Sequence, residues 1–140
     1  MSSGAIGMDG IAEILDKIDV YANQEKIEAA LGRACALVER EAKMKAPKGV
    51  GDLRRSIESK VEDLEGIVFT PLEYAPYVEY GTGLFAEAGD GRKDVPWNYQ
   101  DDKGNWHSTS GMKPRPFMRP ALTENRDQIL RILKEGITGD

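Results

Sequence analysis

The stretch IEAALGRACALVEREAKMKA, residues 27–46, decides the fold predicted for this chain. Apolar side chains recur along it at the spacing of one helical face, and charged residues fill much of the remainder. That face comprises Ile27, Leu31, Ala34, Val38 and Ala42. Good helix formers are frequent, and Pro47 disfavours helical geometry in the residue before it. The sequence therefore predicts a long amphipathic helix that follows an N-cap at Asn23 and ends near residues 45–46.

A shorter helix is predicted on the N-terminal side of this stretch. Its face would be formed by Ile11, Ile14, Leu15 and Ile18, which share the i, i+3, i+4, i+7 spacing. Residues 1–10 are small and Gly-rich, and we expect them to form a flexible N-terminus. They lack the basic and apolar regions of a signal peptide, so secretion is not indicated.

Two β-hairpins are predicted beyond the turn-rich joint at residues 47–52. In the first, the alternating segment 57–62 and the β-branched, aromatic segment 67–70 flank a turn at residues 63–66. In the second, Trp97 and Tyr99 lie on one side of residues 101–105 and Trp106 on the other. The expected strands pair as hairpins, which indicates an antiparallel sheet.

The C-terminal half alternates short elements with irregular segments. Tyr74, Tyr77 and Val78 are spaced for a short helix that Gly81 or Gly83 would end. Segments 84–96 and 107–115 are predicted to be mobile loops that a partner orders. A final helix is expected from about residues 116–120 to Lys134, with Gly136 as its stop. The prediction is a single α+β domain at residues 11–140, in which N-terminal helices and a C-terminal helix pack on an antiparallel sheet built from hairpins.

Composition restricts the classes of function. The chain has 140 residues, 19 Lys and Arg against 24 Asp and Glu, and a net charge of −5. This charge argues against a general attraction to a phosphate backbone. A single Cys and a single His exclude multi-Cys zinc sites and His-pair metal motifs. No apolar run approaches the roughly 18 residues that a membrane span needs, so no membrane association is expected.

No catalytic constellation is found. His107 lies in a polar segment without an evident partner, and we expect it to be exposed rather than a general base. Cys35 falls on the long helix, where a packed thiol is expected. Residues 90–94 suggest a calcium loop, but Arg92 occupies a position that requires an oxygen ligand. We therefore predict no enzymatic activity, no cofactor and no catalytic or metal-binding residue.

Charge and aromatic content point instead to an interface. The segment Lys113-Pro114-Arg115-Pro116, followed by Arg119, is basic and held extended by its prolines. The predicted partner-interface residues are Lys113, Arg115, Phe117, Arg119, Tyr77 and Tyr80. One alternative is that the basic segment is only a solvated lead-in to the last helix. The other is a nucleic-acid-binding module that uses Arg54, Arg55, Lys113, Arg115 and Arg119.

Three motifs carry a resemblance to a known family. They are APKGVGDLRRSI at residues 46–57, YAPYVEYGT at 74–82 and PRPFMRPAL at 114–122. In order and spacing they resemble the small neck or tail-completion proteins, also described as tail components, of long-tailed double-stranded DNA bacteriophages and prophages. The sequence departs from the family pattern at Val50, Pro114 and Met118, where Thr, Ala and Leu are usual.

The resemblance implies a structural virion protein without enzymatic activity. It would act at the head–tail junction as part of a homo-oligomeric ring, with other phage neck and tail proteins as partners: a head-completion or connector protein, and a tail terminator or tube. Assembly would take place in the cytoplasm of the bacterial host. DNA would pass through the ring without specific binding. Because the apolar stripes of the chain are modest, we expect the free protein to be a monomer or small oligomer.

Overall fold

The computed structural model describes residues 23–48 and 52–139. The predicted first helix, the expected flexible N-terminus and part of the 47–52 joint lie outside the described residues. The elements are helices α1 (Gln24–Lys45), α2 (Leu53–Ser56), α3 (Ala75–Tyr80), α4 (Met118–Thr123) and α5 (Arg126–Thr138), with strands β1 (Glu58–Glu62), β2 (Glu65–Phe69), β3 (Trp97–Gln100) and β4 (Trp106–Thr109). Helices and antiparallel hairpins confirm the α+β class.

The chain divides into two compact units. The helical unit combines the described residues up to Thr70 with those from Phe117 onwards, and the inserted unit is the continuous segment Pro71–Pro116. Each hairpin forms its own two-stranded sheet, with β1–β2 in the helical unit and β3–β4 in the inserted unit. The predicted sheet is therefore two separate hairpins. The single domain expected for residues 11–140 stays a prediction.

Helix α1 is the scaffold of the helical unit. Its bounds match the prediction, and Ala46 turns to an extended conformation (ψ 132°) directly before Pro47. Ile27, Ala34, Val38 and Ala42 are buried as expected, whereas Leu31 is half-buried. Further buried positions are Ala30, Cys35 and Leu37. The buried face is wider than predicted because α1 packs against both C-terminal helices and against the β1–β2 hairpin.

The β1–β2 hairpin turns at Asp63 and Leu64, which both have positive φ angles (51° and 64°). Two consecutive positive φ angles characterise the turn type whose twist suits a two-residue hairpin. The predicted turn at residues 63–66 was too long, because Glu65 pairs with Glu62 and Gly66 lies within β2. A Cβ atom at Gly66 would lie 2.6 Å from the Sγ atom of Cys35. This glycine is thus explained by close packing on α1 rather than by the turn.

The expected final helix is two helices. The break falls at Glu124–Asn125, where the Asn125 side-chain amide donates to the carbonyl of Ala121 at 2.9 Å. Lys45 at the end of α1 lies 2.9 Å from the Glu124 carboxylate, and this hydrogen bond is the main cause that raises the pKa of Lys45. The break is therefore fastened to α1 by a polar contact that spacing along the sequence does not indicate.

Gly136 was predicted to end the last helix, and this prediction is wrong. Helix α5 continues to Thr138 and is followed by Gly139, which adopts the left-handed conformation (φ 79°) typical of a C-terminal cap. A Cβ atom at Gly136 would lie 2.8 Å from the Cβ atom of Ala30, a fully buried residue of α1. Gly136 therefore allows the close approach of α5 to α1.

Gly136 and Gly32 form a matched pair for testing this approach. Both lie within helices, but a Cβ atom at Gly32 would meet no atom within 4 Å. Gly32→Ala should stabilise the protein by up to about 1 kcal/mol through helix propensity alone. Gly136→Ala gains the same propensity but overpacks the contact, which costs about 1–3 kcal/mol. We expect the two variants to change the free energy of unfolding in opposite directions, as measured by chemical denaturation. Equal stabilisation by both would contradict the close contact.

Candidate functional site

Exposed apolar side chains concentrate in the inserted unit. Among the described residues, the exposed large hydrophobic side chains of this unit are Tyr77, Tyr80, Leu84, Phe85, Tyr99 and Trp106. Their exposed fractions run from 41% to 70%, and among the described residues of the helical unit only Met44 of α1 joins them. Exposed apolar groups that cluster in one region mark interaction sites more often than scattered ones do. The inserted unit is therefore the candidate partner-binding region of this chain.

The inserted unit is held together by backbone pairing between the segment after α3 and residues 110–112. The N–H of Thr82 donates to the carbonyl of Met112 at 2.9 Å, and the N–H of Met112 donates to the Thr82 hydroxyl at 2.8 Å. The N–H of Leu84 donates to Ser110 at 3.0 Å. Gly81 has φ 82°, and a Cβ atom there would lie 2.7 Å from the carbonyl oxygen of Phe85. Sterically, only glycine suits this position, which explains the Gly-Thr pair of the second motif.

The basic segment is anchored to α3. The N–H of Arg115 donates to the carbonyl of Val78 at 2.8 Å, so the backbone of the segment is fixed beside the helix. The side chains of Lys113 and Arg115 are exposed, and Lys113 Nζ lies 5.9 Å from the ring centroid of Phe85. Residues from the second and third motifs, more than 30 positions apart in sequence, thus meet within one unit.

A groove of about 790 Å³ lies beside α3 within the inserted unit. Its lining is mainly apolar and includes Pro76, Tyr77, Tyr80, Ala86 and Trp97. Two acidic residues, Glu87 and Asp90, and one basic residue, Arg92, also line it. The Arg92 guanidinium lies 5.1 Å from the ring centroid of Trp97 and 3.6 Å from the Asp94 carboxylate. The positive charge of Arg92 is therefore partnered within the chain.

The predicted interface residues divide between the two units. Tyr77, Tyr80, Lys113 and Arg115 all lie exposed in the inserted unit. Phe117 belongs to the helical unit and is only 1% exposed, so it is a core residue. Arg119 also lies in the helical unit and is half-buried. The structure thus places four of the six in one unit.

No pattern in the sequence indicates the groove. Gly83, which lines the groove, begins a short 3₁₀ turn, Gly83–Phe85, that overlaps the segment predicted as loop, and such a turn has no apolar periodicity. Trp106 and His107 begin β4, which also removes residues 107–109 from the second predicted loop. The concentration of aromatic residues in the second half was the available signal. It does not show which of them line a common surface.

His107 has a carboxylate partner that its sequence context did not reveal. Its Nε2 atom lies 2.8 Å from Asp101 Oδ2, and its ring stacks on Tyr99 at a centroid distance of 5.2 Å. The other oxygen of Asp101 accepts the backbone N–H groups of Lys103 and Asn105 at 2.9 and 2.8 Å. The imidazole hydrogen bond, followed by these backbone bonds, lowers the pKa of Asp101 to about 2. The pair orders the β3–β4 loop, which accounts for both residues structurally. His107 is exposed, as expected.

Cys35 is buried, as predicted. Burial, with a smaller contribution from the negative charge of Glu39, raises the pKa of its thiol. This environment disfavours the thiolate that a nucleophile requires. The described residues contain no group of three or more His, Cys, Asp or Glu placed to hold a metal ion. None of the described helices has the length and hydropathy of a membrane span.

Comparison with known proteins gives one match. Residues 9–81 match the model of a family described as "Bacteriophage HK97-gp10, putative tail-component", and this range covers just over half of the 140 residues. The range includes the first motif and all but the last residue of the second, and it excludes the third. No curated protein and no solved structure gives a significant match.

The Asp101–His107 pair gives a pH-dependent prediction. Because the pKa of Asp101 is lowered from 3.8 to about 2, the stabilising contribution of its carboxylate is complete above pH 3.8 and is lost as the pH falls through about 2. His107→Ala should move the titration midpoint of the Asp101 carboxyl upwards, as measured by carbon-detected NMR. Asp101→Asn should remove this titration and identify the signal. An unchanged midpoint in His107→Ala would show that the imidazole is not the main cause of the lowered pKa.

Proposed function

The chain belongs to the HK97-gp10-like family of bacteriophage tail components, and on this premise we propose that it is a neck or tail-completion protein of the head–tail junction. In this role it joins the tail to the DNA-filled head as part of a homo-oligomeric ring. Its partners are other neck and tail proteins, and it is assembled into the virion in the cytoplasm of the bacterial host. A structural role of this kind requires no catalytic activity.

The exposed apolar surface of the inserted unit carries this proposal. Protein–protein contact surfaces are enriched in Tyr, Trp, Phe and Arg, and these types are exposed together in this unit. Lys113 and Arg115 add positive charge on a segment whose prolines restrict its conformation. An arginine held in this way can pair bidentately with a carboxylate of a neighbouring protein at a low cost in entropy.

The alternative, a nucleic-acid-binding module, is less well supported by the contacts of its basic residues. Arg54 donates to the carbonyl of Ala46 at 3.3 Å, and Arg55 forms an ion pair with Asp52. Arg119 is half-buried. With a net charge of −5, the protein would give a ring channel a neutral or repulsive average field towards phosphate. DNA could pass through such a channel without being bound tightly by it.

Deletion of the gene from its phage or prophage tests the proposed role directly. We expect electron microscopy of the lysate to show DNA-filled heads and separate tails, because each is built without the joining protein. Supplying the wild-type protein from a plasmid should restore joined particles. Joined particles without the protein, or a lysate in which heads fail to fill, would contradict a role in joining.

The basic segment provides a sharper test in the same complementation assay. Lys113→Glu combined with Arg115→Glu should prevent head–tail joining while the protein still folds, because both side chains are exposed. A matched control is Arg131→Glu with Lys134→Glu, which changes the charge equally at exposed positions of α5. The control should complement normally.

DNA binding by the same variants separates the two functions. Phosphate contacts give an affinity that falls steeply with salt concentration. We expect wild-type protein and the Lys113→Glu, Arg115→Glu variant to show similarly weak DNA binding in a salt titration. If the variant instead lost a tight, salt-sensitive affinity and still joined heads to tails, the nucleic-acid function would replace the proposed one.

A further inference from the structure

We propose that the basic, proline-rich segment of one copy, residues 113–116, binds in the groove beside α3 of a second copy, so that the molecules associate head to tail. This inference rests on the proposed function as a ring component and names the contact between neighbouring subunits. It follows from the chemistry of two surfaces of the inserted unit, the groove and the segment.

The groove has the chemistry of a receptor for a basic, extended segment. Tyr77 and Tyr80 line it with exposed fractions of 58% and 41%, and Trp97 adds a third aromatic ring. Aromatic-lined grooves are the usual receptors of proline-rich segments, because proline rings pack on aromatic faces and the segment is already extended. Glu87 and Asp90 add two acidic groups against the single basic group of Arg92, so the described side chains that line the groove carry a net charge of −1. The net charge of the groove therefore favours a cationic occupant.

Residues 113–116, Lys-Pro-Arg-Pro, have the complementary chemistry. Each basic residue precedes a proline, which restricts both to extended conformations. The segment has no regular secondary structure, and Lys113, Arg115 and Pro116 are exposed. Binding would thus require little further loss of conformational entropy. Its two cations are opposite in sign to the net charge of the groove.

The occupant must come from another molecule. At one end of the segment the carbonyl of Met112 accepts the N–H of Thr82, and further along the N–H of Arg115 donates to Val78. These bonds fix the backbone of the segment to its own unit, so it cannot leave to fill the groove of the same copy. Groove and segment are different surfaces, and each copy carries both. A contact between them is therefore heterologous, and its repetition produces a closed ring or an open chain.

Sedimentation equilibrium of the full chain tests the contact. The average mass of the wild-type protein should rise between about 10 μM and 1 mM, the range of weak, transient association. Two variants each make the contact repulsive: the segment variant, Lys113→Glu with Arg115→Glu, and the groove variant, Glu87→Lys with Asp90→Lys. For each variant alone we expect the dissociation constant to rise at least about tenfold. The Arg131→Glu, Lys134→Glu control should associate like the wild type.

Mixing the two variants gives the decisive result. In an equimolar mixture every acidic segment meets a basic groove and every basic segment meets an acidic groove, so association should return. A chain that carries all four substitutions should also associate. Recovery cannot come from misfolded protein, which keeps the test valid if one variant alone is less stable.

Three results would overturn the inference: a wild-type protein that stays monomeric throughout the range, variants that associate like the wild type, or a mixture that stays dissociated. They are independent of the outcome of gene deletion. Normal virions without the protein would refute the proposed function whatever the sedimentation shows. Variants that sediment like the wild type would refute this contact while the joining role remained.

Discussion

Close approach of backbone to backbone, made possible by small residues, is the constraint on which both units depend. In the helical unit, α1 presents Ala30 and Ala42 with no exposed surface. Gly136 of α5 faces Ala30, and Gly66 of β2 faces Cys35. A larger side chain at any of these contacts would separate α1 from its neighbours and leave cavities along the rest of the interface. The small residues set the distance between α1 and its neighbours, and the larger buried side chains, such as Leu133 and Ile137 of α5, pack at that distance.

The inserted unit also depends on close approach between backbones, but there backbone hydrogen bonds rather than an apolar core hold the segments together. Its few buried apolar side chains, Ala75 and Val78 among the described residues, are too small to hold a segment of this length by burial alone. Thr82 secures the pairing through both its backbone N–H and its hydroxyl, and Gly81 lets the two backbones meet. Because the unit is stabilised largely by backbone bonds, its aromatic side chains are left available at the surface. The same arrangement that holds the unit together therefore also equips it for a partner.

Local signals predicted the elements well and their contacts poorly. The bounds of α1 followed from periodicity and Pro47, and both hairpins followed from alternation and turn residues, because these are properties of neighbouring positions. Gly66 and Gly136 were misassigned to a turn and a helix stop. Each glycine is required by a contact with α1: Gly66 packs on Cys35, 31 positions away, and Gly136 packs on Ala30, 106 positions away. A local sequence pattern does not contain contacts between such distant positions. The break at Asn125 was missed for a similar reason, since its neighbour Glu124 is held by Lys45 across the unit.

In the candidate site, too, the sequence indicated individual residues but not how the fold arranges them. The sequence indicated Tyr77, Tyr80, Lys113 and Arg115 through motifs and charge, and these lie exposed in one unit. Phe117 belongs to the same motif as Arg115 and yet is buried, because the motif crosses from the inserted unit into the helical unit between Pro116 and Phe117. A motif read as a single functional stretch thus contains a surface part and a core part. The groove residue Ala86 carried no sequence signal, and Asp90 stood out only as part of a rejected calcium loop, because a groove is defined by the path of the folded backbone.

The distribution of rare side chains between the units has a practical consequence. Both tryptophans of the chain, Trp97 and Trp106, lie in the inserted unit. The single cysteine of the chain, Cys35, is buried in the helical unit. Tryptophan fluorescence, excited selectively, therefore reports on the inserted unit, while the reactivity of the thiol towards a chromogenic reagent reports on opening of α1 against its neighbours. The natural protein thus contains a separate spectroscopic probe for each unit, without any label being introduced.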